Sequence, residues 1–511
     1  MRQLPVVLLA GVIAWSLVPV QGVELRKPNI VFILADDLGY GDVQCLNPEH
    51  GKIRTPHMDR LATQGMVFTD AHSGSSLCSP TRYGILTGRY AWRSRLQAGV
   101  LVPYDAPLIA PDRLTVPGLL AKNGYRTACI GKWHLGWRWP REGKQVVFDR
   151  PITEGPTTRG FHYYFGTDVP NYPPYGFLEN EHLVAQPTAW CLPDAKLFLG
   201  YPGPMVPGWQ FDQILPTLAA KAVDYIGQHA ADHEPFFLYF ALTSPHEPIA
   251  PSAPFRGKSG ISPVADFIME TDWAVGQVTA ALEKNGLAEN TLLIFMADNG
   301  HCPYTGLKPF IDAGHWVSQR FRGFKSDIWE GGHRIPFIAR WPGQVKAGST
   351  SEQLICLTDL MASCADLLGT KLPDTAAEDS VSILPALRGS SAGPHHEAVV
   401  HHSGSGRFSL RQGKWKLELC PGSGGWSQPS DAQAVRRGLP SVQLYDMSRD
   451  DTERINVQEK HPEVVERLTR LLMKYVTEGR STPGVPQKND VPVDMWKQPV
   501  KPSAAKLLSE G

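Results

Sequence analysis

Residues 28–41 read Pro28-Asn29-Ile30-Val31-Phe32-Ile33-Leu34-Ala35-Asp36-Asp37-Leu38-Gly39-Tyr40-Gly41. Pro28 to Leu34 is an apolar run rich in β-branched residues, the pattern of a strand buried on both faces of a sheet. It runs directly into two carboxylates. The same pattern recurs outward along the chain. Tyr125 to Ile130 reads as a second strand, Pro235 to Leu242 as a third, Thr291 to Met296 as a fourth and Ile335 to Arg340 as a fifth. Helical patterns stand between them. Thr55-Pro56 opens a helix carrying Met58, Leu61 and Ala62 and stopping at Gly65, and Thr115 to Lys122 is similar, ending at Asn123-Gly124. Gln213 to Gln228 sets Leu215, Leu218, Ala219, Ala222 and Ile226 on one stripe, and Val264 to Lys284 is a long helix ended by Asn285-Gly286. Strands separated by helices define an α/β fold, with a large, mainly parallel sheet covered by helices on both faces.

Four polar clusters follow strand ends: Asp36-Asp37 after the first, Lys132 and His134 after the second, His246 after the third and Asp298-Asn299 after the fourth. Ligands of open parallel sheets bind outside the carboxyl ends of the strands, so these distant clusters are expected to converge there. Asp36, Asp37, Asp298 and Asn299 offer three carboxylates and an amide oxygen, which suits a hard divalent cation. Alone, Asp298-Asn299-Gly300 reads as turn chemistry. Joined to Asp36-Asp37-Leu38-Gly39-Tyr40-Gly41 in one architecture, it reads as a metal site.

The pattern changes after about residue 395. Ala398 to Val400, Arg407 to Arg411, Lys414 to Leu419 and Val442 to Tyr445 are short strand candidates between Gly-rich turns. Pro462 to Thr477 carries Val464, Val465, Leu468, Leu471, Leu472 and Tyr475 at helical spacing. The expected organisation is a catalytic unit over 23–394, a smaller antiparallel sheet with one helix over 395–480, and a loose Pro- and Lys-rich tail over 481–511. At the other end, Arg2, the apolar stretch Leu4 to Ala14 and small residues near Val20 and Gly22 fit an export signal over 1–22. The apolar run is short for a membrane span and is broken by Pro19. An exported protein without a span after cleavage follows, in a periplasmic, secreted or lysosome-like compartment where disulfides are permissible.

The whole chain has 511 residues, with 50 Lys+Arg against 50 Asp+Glu. That length allows a large core, and the absence of a basic surplus argues against a nucleic-acid binder. The 48 Gly and 44 Pro follow no repeat, so collagen-like and low-complexity classes are excluded. The eight Cys show no CxxC spacing, so thiolate metal binding is not expected.

One Cys sits in a longer motif, Ser76-Leu77-Cys78-Ser79-Pro80-Thr81-Arg82-Tyr83-Gly84-Ile85-Leu86-Thr87-Gly88-Arg89. Its Cys-x-Pro-x-Arg followed by Leu-Thr-Gly-Arg resembles the signature of type I sulfatases. Gly124-Tyr125-Arg126-Thr127-Ala128-Cys129-Ile130-Gly131-Lys132-Trp133-His134 resembles that family's second signature. Asn29 to Gly39 and Ala297 to Gly300 match its metal motifs in position and order. Arg407 to Trp426 and Leu444-Tyr445-Asp446 look like the arylsulfatase A and N-acetylgalactosamine-6-sulfatase branch. The resemblance implies an alkaline-phosphatase-like fold and hydrolysis of sulfate monoesters. It implies that Cys78 is oxidised to Cα-formylglycine by a formylglycine-generating enzyme. One hydroxyl of the hydrated aldehyde would attack sulfur, giving a sulfate hemiacetal, and deprotonation of the second would expel sulfate.

By the same resemblance Asp36, Asp37, Cys78, Asp298 and Asn299 would hold the cation, with Ca²⁺ the choice for an oxygen-only cage and Mg²⁺ the alternative. Arg82, one helical turn past Cys78, would hold the aldehyde hydrate, and Lys132 would bind sulfate oxygens. Lys325, in Gly323-Phe324-Lys325-Ser326-Asp327-Ile328-Trp329-Glu330-Gly331-Gly332, would do the same. His134 would be the base for sulfate release, and His246 the acid for the leaving alcohol. His301, His315, His333, His401 and His402 are either neighbours of the cleft or packing residues, and the packing reading is preferred. The substrate would be a sulfated saccharide, with small aryl sulfates as surrogates. The aromatic-rich segment Gly136 to Trp209 is either a sugar platform or a loop anchored by its own rings. Two rivals are a phosphatase or phosphodiesterase of the same superfamily, against which Cys78 stands, and a non-catalytic sulfated-glycan binder. If Cys78 is modified, an odd seven cysteines remain.

Overall fold

The computed structural model of the protein describes residues 27–192, 200–390 and 396–497. The expected export signal over 1–22 and the end of the tail, 498–511, lie outside the described residues.

The run that opens at Pro28 forms the strand Asn29–Ala35, buried along its whole length. It is central in a ten-stranded sheet. Thr291–Ala297 pairs with it on one side and Phe236–Ala241 on the other, both parallel. Arg126–Lys132 and then Tyr163–Thr167 extend the parallel block to five strands. The registers Leu34 with Ala241 and Ala35 with Ala297 bring three strand ends level at one edge. Helices Pro56–Gln64, Ile214–Gln228 and Pro263–Lys284 form one layer, and Cys78–Thr87, Val116–Lys122 and Leu360–Leu367 another. The helices expected after Thr55, from Thr115, from Gln213 and from Val264 start and stop close to their expected punctuation, and Cys78–Thr87 and Leu360–Leu367 add to them. Thr115 and Ser262, for example, accept the N–H of Gly118 and Ala265 as N-caps.

Two features depart from the strand-by-strand expectation. Phe337–Arg340 runs antiparallel to Thr291–Ala297 and pairs in turn with Met66–Phe68. The chain between 298 and 336 contains no long return helix, so it enters this strand from the carboxyl edge and must run backwards. The Tyr163–Thr167 strand lies inside the segment that shows no strand-helix rhythm. Its sequence, Tyr-Tyr-Phe-Gly-Thr, is aromatic rather than β-branched.

The smaller unit is a four-stranded antiparallel sheet, Val399–His402, Phe408–Gln412, Trp415–Glu418 and Gln443–Asp446. Helix Pro462–Thr477 packs on it through Val464, Leu468, Leu472 and Tyr475. The expectation of a loose tail fails for residues 481–497. Arg89 donates to the Lys488 carbonyl and to Asp490, Arg93 to Asn489, and Met495 is buried. Buried arginines of the catalytic unit hold this stretch down, although it has no regular secondary structure.

Candidate active site

Backbone hydrogen bonds continue past the strand ends and tie the loops together. Leu242 N donates to Leu34 O at 2.9 Å, Asp36 N to Ser244 O at 3.0 Å and Asp298 N to Ala35 O at 3.0 Å. Asp37 then turns with φ 66°, a left-handed conformation uncommon for a non-glycine residue, and its N–H donates to Asp298 Oδ1 at 3.1 Å. Cys78 is the first residue of a wholly buried helix, Cys78–Thr87. The loop before it is fastened from the smaller unit, because His402 O accepts from Ser76 N and Ser75 Oγ, both at 3.0 Å.

The sequence-derived candidates meet here. Cys78 Sγ lies 3.6 Å from Asp36 Oδ1 and 3.9 Å from Asp37 Oδ1. Lys132 Nζ donates to Asp36 Oδ2 at 2.6 Å, and Lys325 Nζ is 2.6 Å from Asp37 Oδ1 and 2.7 Å from Oδ2. Arg82 joins the two carboxylate loops, 2.9 Å from Asp298 Oδ2 and 3.6 Å from Asp36 Oδ1, and also donates to Lys132 O at 3.1 Å. Asn299 Nδ2 donates to Asp37 Oδ1 at 2.8 Å. Three carboxylates thus face three cations, all buried. That balance lets a dication and an anion enter as a pair at little net cost in charge.

Ionisation follows from this packing. Burial alone would raise the Asp37 carboxyl, but Lys325, aided by His246 and Lys132, holds it below the usual carboxylate range. Burial and the neighbouring Asp36 push Asp298 up to about 6 against the pull of Arg82. Burial raises the Cys78 thiol well above its ordinary range, against Lys132 and Lys325, so an unmodified Cys78 is a protonated and poor nucleophile. Burial, then Lys132, lowers His134 far below its ordinary value and His246 to about 3. Both rings are therefore neutral, and their contacts set the tautomers. His246 Nδ1 donates to Glu247 O at 2.7 Å, leaving Nε2 as the atom 3.9 Å from Asp37. His134 Nε2 donates to Leu101 O at 3.0 Å, leaving Nδ1 as an unprotonated nitrogen, buried and unpartnered among the described residues.

The donors fit a hard cation. Ligand atoms of Asp36, Asp37, Cys78 and His246 lie within 4.8 Å of one another. Asn299 Oδ1 is buried with no hydrogen-bond partner among the described residues, a lone pair lacking a cation or donor. Asp298 stands beside this group and reaches it through Arg82 and the Asp37 amide.

His301 and His315 do not enter the site; both bind Asp42, at 2.8 and 2.9 Å. His333 and His401 stack beneath the Cys78 loop, with ring centroids 3.8 Å apart. In the aromatic segment Phe161, Tyr164, Phe165 and Tyr175 are buried in cores, so the self-anchored loop describes most of it. Sequence reasoning missed Asp168, which follows the unrecognised fifth parallel strand. Its carboxylate accepts the His134 N–H at 3.1 Å. A wide concavity of about 660 Å³ lined by Arg126, His162, Glu179 and Lys221 opens at the opposite, amino-terminal edge of the sheet, away from all of these groups. Each of the eight cysteines stands unpaired.

Fold and site together define a class: an α/β enzyme-like centre that gathers three carboxylates, an amide oxygen and two lysines around one residue at a helix start. Comparison with known proteins narrows it. The Sulfatase family model matches residues 28–370. An N-acetylgalactosamine-6-O-sulfatase of Bacteroides thetaiotaomicron is 34% identical over 509 residues, covering 89% of this chain and 94% of that protein. Human arylsulfatase A is 34% identical over 478 residues, covering 87% of each. A solved structure from work on glycosaminoglycan metabolism by Bacteroides thetaiotaomicron superimposes with a TM-score of 0.77 at 32% identity, covering 88% of this chain and 99% of that one. The chain belongs to the sulfatase family, whose members are sulfuric ester hydrolases.

Proposed function

We propose that the protein hydrolyses sulfate monoesters of a sulfated carbohydrate and accepts small aryl sulfates as surrogates. The observation that carries this is the placement of two lysines, one on each member of the Asp36-Asp37 pair, over Cys78. The names of similar proteins make 6-sulfated N-acetylgalactosamine the first sugar to test.

Asp36, Asp37, Asp298 and Asn299, with the modified Cys78, would hold Ca²⁺ or, alternatively, Mg²⁺, which supplies Lewis-acid charge to a sulfate oxygen. Cys78, oxidised to Cα-formylglycine by a formylglycine-generating enzyme, supplies an aldehyde hydrate as nucleophile. The remaining steps fall to the chain's own residues. Lys132 and Lys325, which would be free of Asp36 and Asp37 once those carboxylates hold the cation, donate to sulfate oxygens and stabilise charge as the ester bond breaks. Arg82, braced on Asp298 and the Lys132 carbonyl, orients the hydrate. His246, with its Nδ1–H held by Glu247 O, has an unprotonated Nε2. To act as the acid for the departing alcohol oxygen it first takes up a proton at Nε2, which the negative charge of a bound sulfate ester beside it favours. His134, with Nε2 held by Leu101 O, accepts a proton at Nδ1 as sulfate leaves. Asp168 fixes the His134 backbone. The enzyme is exported; no helix of the described residues is long and apolar enough to cross a membrane.

The test is sulfate release from 4-nitrophenyl sulfate and from defined sulfated saccharides by protein expressed with its maturation enzyme. Turnover of both is expected. Failure to release sulfate from any ester, with the protein folded and supplied with Ca²⁺, would refute the assignment.

A further inference from the structure

Lys325 has a neighbour that the chemistry does not use. Its ammonium lies 5.9 Å from the ring centroid of Trp426, and the Tyr304 ring lies against that indole, centroids 4.6 Å apart and planes tilted by 35°. Both rings are open to solvent, Trp426 at 37% and Tyr304 at 60%. They come from different units. Tyr304 follows the Asp298-Asn299 strand end, in the turn Pro303–Thr305, and Trp426 sits in the Gly-rich loop after strand Trp415–Glu418.

The Trp426 loop is rigidly held for something so exposed. Asp327, two residues past Lys325, accepts the N–H groups of Trp426 and Ser427, both at 2.9 Å, and the Ser427 hydroxyl. The Ser423 hydroxyl accepts Gly425 N, and a Cβ on Gly425 would meet Ser326 O at 2.3 Å. One carboxylate therefore locks the indole beside the lysine. The ordering cost of an aromatic contact is already met, as in a preorganised binding surface. Exposed, rigid aromatics beside a charged anchor are what a ligand with one anionic group and an apolar ring face requires.

We infer that Trp426 and Tyr304 form a sugar-binding platform in which a pyranose ring of the substrate stacks on the indole while its sulfate is held by Lys325. This rests on the sulfatase reading above. It moves the recognition surface out of the aromatic segment 136–209 and onto two loops that converge at Lys325.

The test compares wild type, Trp426→Ala, Trp426→Phe and Tyr304→Ala on N-acetylgalactosamine 6-sulfate, N-acetylglucosamine 6-sulfate and disaccharides containing them. 4-Nitrophenyl sulfate serves as the control for wild-type chemistry, and thermal melting as the control for folding. For the saccharide with the highest kcat/KM, Trp426→Ala raises KM at least tenfold with kcat within threefold. Trp426→Phe recovers most of that loss, and Tyr304→Ala raises KM by a smaller factor. An unchanged KM in Trp426→Ala overturns the platform. So does a fall in kcat at constant KM, which would mark Trp426 as a support for Lys325. A wild type that turns over the aryl sulfate but none of the saccharides also overturns it while leaving the sulfatase reading standing. A wild type active on neither refutes that reading itself.

Discussion

The floor and the rim of the cleft are built in opposite ways. On the floor, Asp36, Asp37, Lys132 and Asp298 stand at or directly past the ends of buried parallel strands, and the sheet register fixes their spacing. On the rim, Tyr304 and Trp426 stand in irregular loops and are exposed. Strand ends cannot shift without breaking the ladder, so they suit groups that must hold charge to within a fraction of an ångström. Loops can vary without unfolding the sheet, so they suit the choice of substrate. The difference predicts that floor variants lose chemistry on every ester, whereas rim variants discriminate among esters.

The largest expected effect is at Cys78. Cys78→Ala should lower kcat/KM by at least ~10³-fold on every sulfate ester, because a nucleophile acts as a unit with its partners. Its melting temperature should stay near that of wild type, and substantial residual turnover would break the floor account. Lys132→Ala and Lys325→Ala should each lower kcat by roughly 10²–10³-fold, the scale of removing one donor from a developing anion. Measuring both on aryl and saccharide esters sharpens the comparison, since the loss should be common to the two. Removal of divalent cations with a chelator should abolish turnover, with Ca²⁺ restoring it; full activity in protein shown free of metal would contradict the proposed cation site.

The smallest effect on turnover is expected away from both regions. Arg93 is paired with Asp379 at 2.7 Å, both fully buried, and the pair ties the catalytic unit to the end of the last helix and to the docked tail. Asp379→Ala should cost about 3–5 kcal/mol of stability by stranding the guanidinium, with kcat below the melting range unchanged. Burial would raise the Asp379 carboxyl, but Arg93 overrides it and holds the value below the ordinary carboxylate range. A depressed native value means that the stabilisation is present above the unfolded value of about 4 and is lost as pH falls through the native one. Melting curves from pH 6 down to pH 3 should therefore show wild type losing its advantage over the variant at the acid end.

The same contrast governs what could be read from the chain. Asp36, Asp37, Lys132, His134, His246, Asp298 and Asn299 each follow a hydrophobic run, so periodicity placed them at one sheet edge, whereas Cys78, Arg82 and Lys325 and the catalytic roles came from the resemblance to the type I sulfatase signatures. The helix Pro462–Thr477 was legible to the residue because a proline and a clean apolar stripe mark it. Trp426 was not, since its loop meets the Lys325 segment only in space, through Asp327 and the packing of Gly425 on Ser326, across a hundred residues of chain. The Tyr163–Thr167 strand hid behind aromatic composition, and with it Asp168. The antiparallel run of Phe337–Arg340 and the docking of residues 481–497 depend on where loops travel in space, and local pattern does not record that.

The central claim is that Cys78 acts as an aldehyde and not as a thiol. The most direct measurement is the mass spectrum of the Cys78-containing peptide from protein whose sulfate-releasing activity has just been measured. The peptide should carry formylglycine at that position, in a fraction that rises in proportion to specific activity across preparations. Full activity in a preparation whose Cys78 is entirely unmodified thiol would contradict the account.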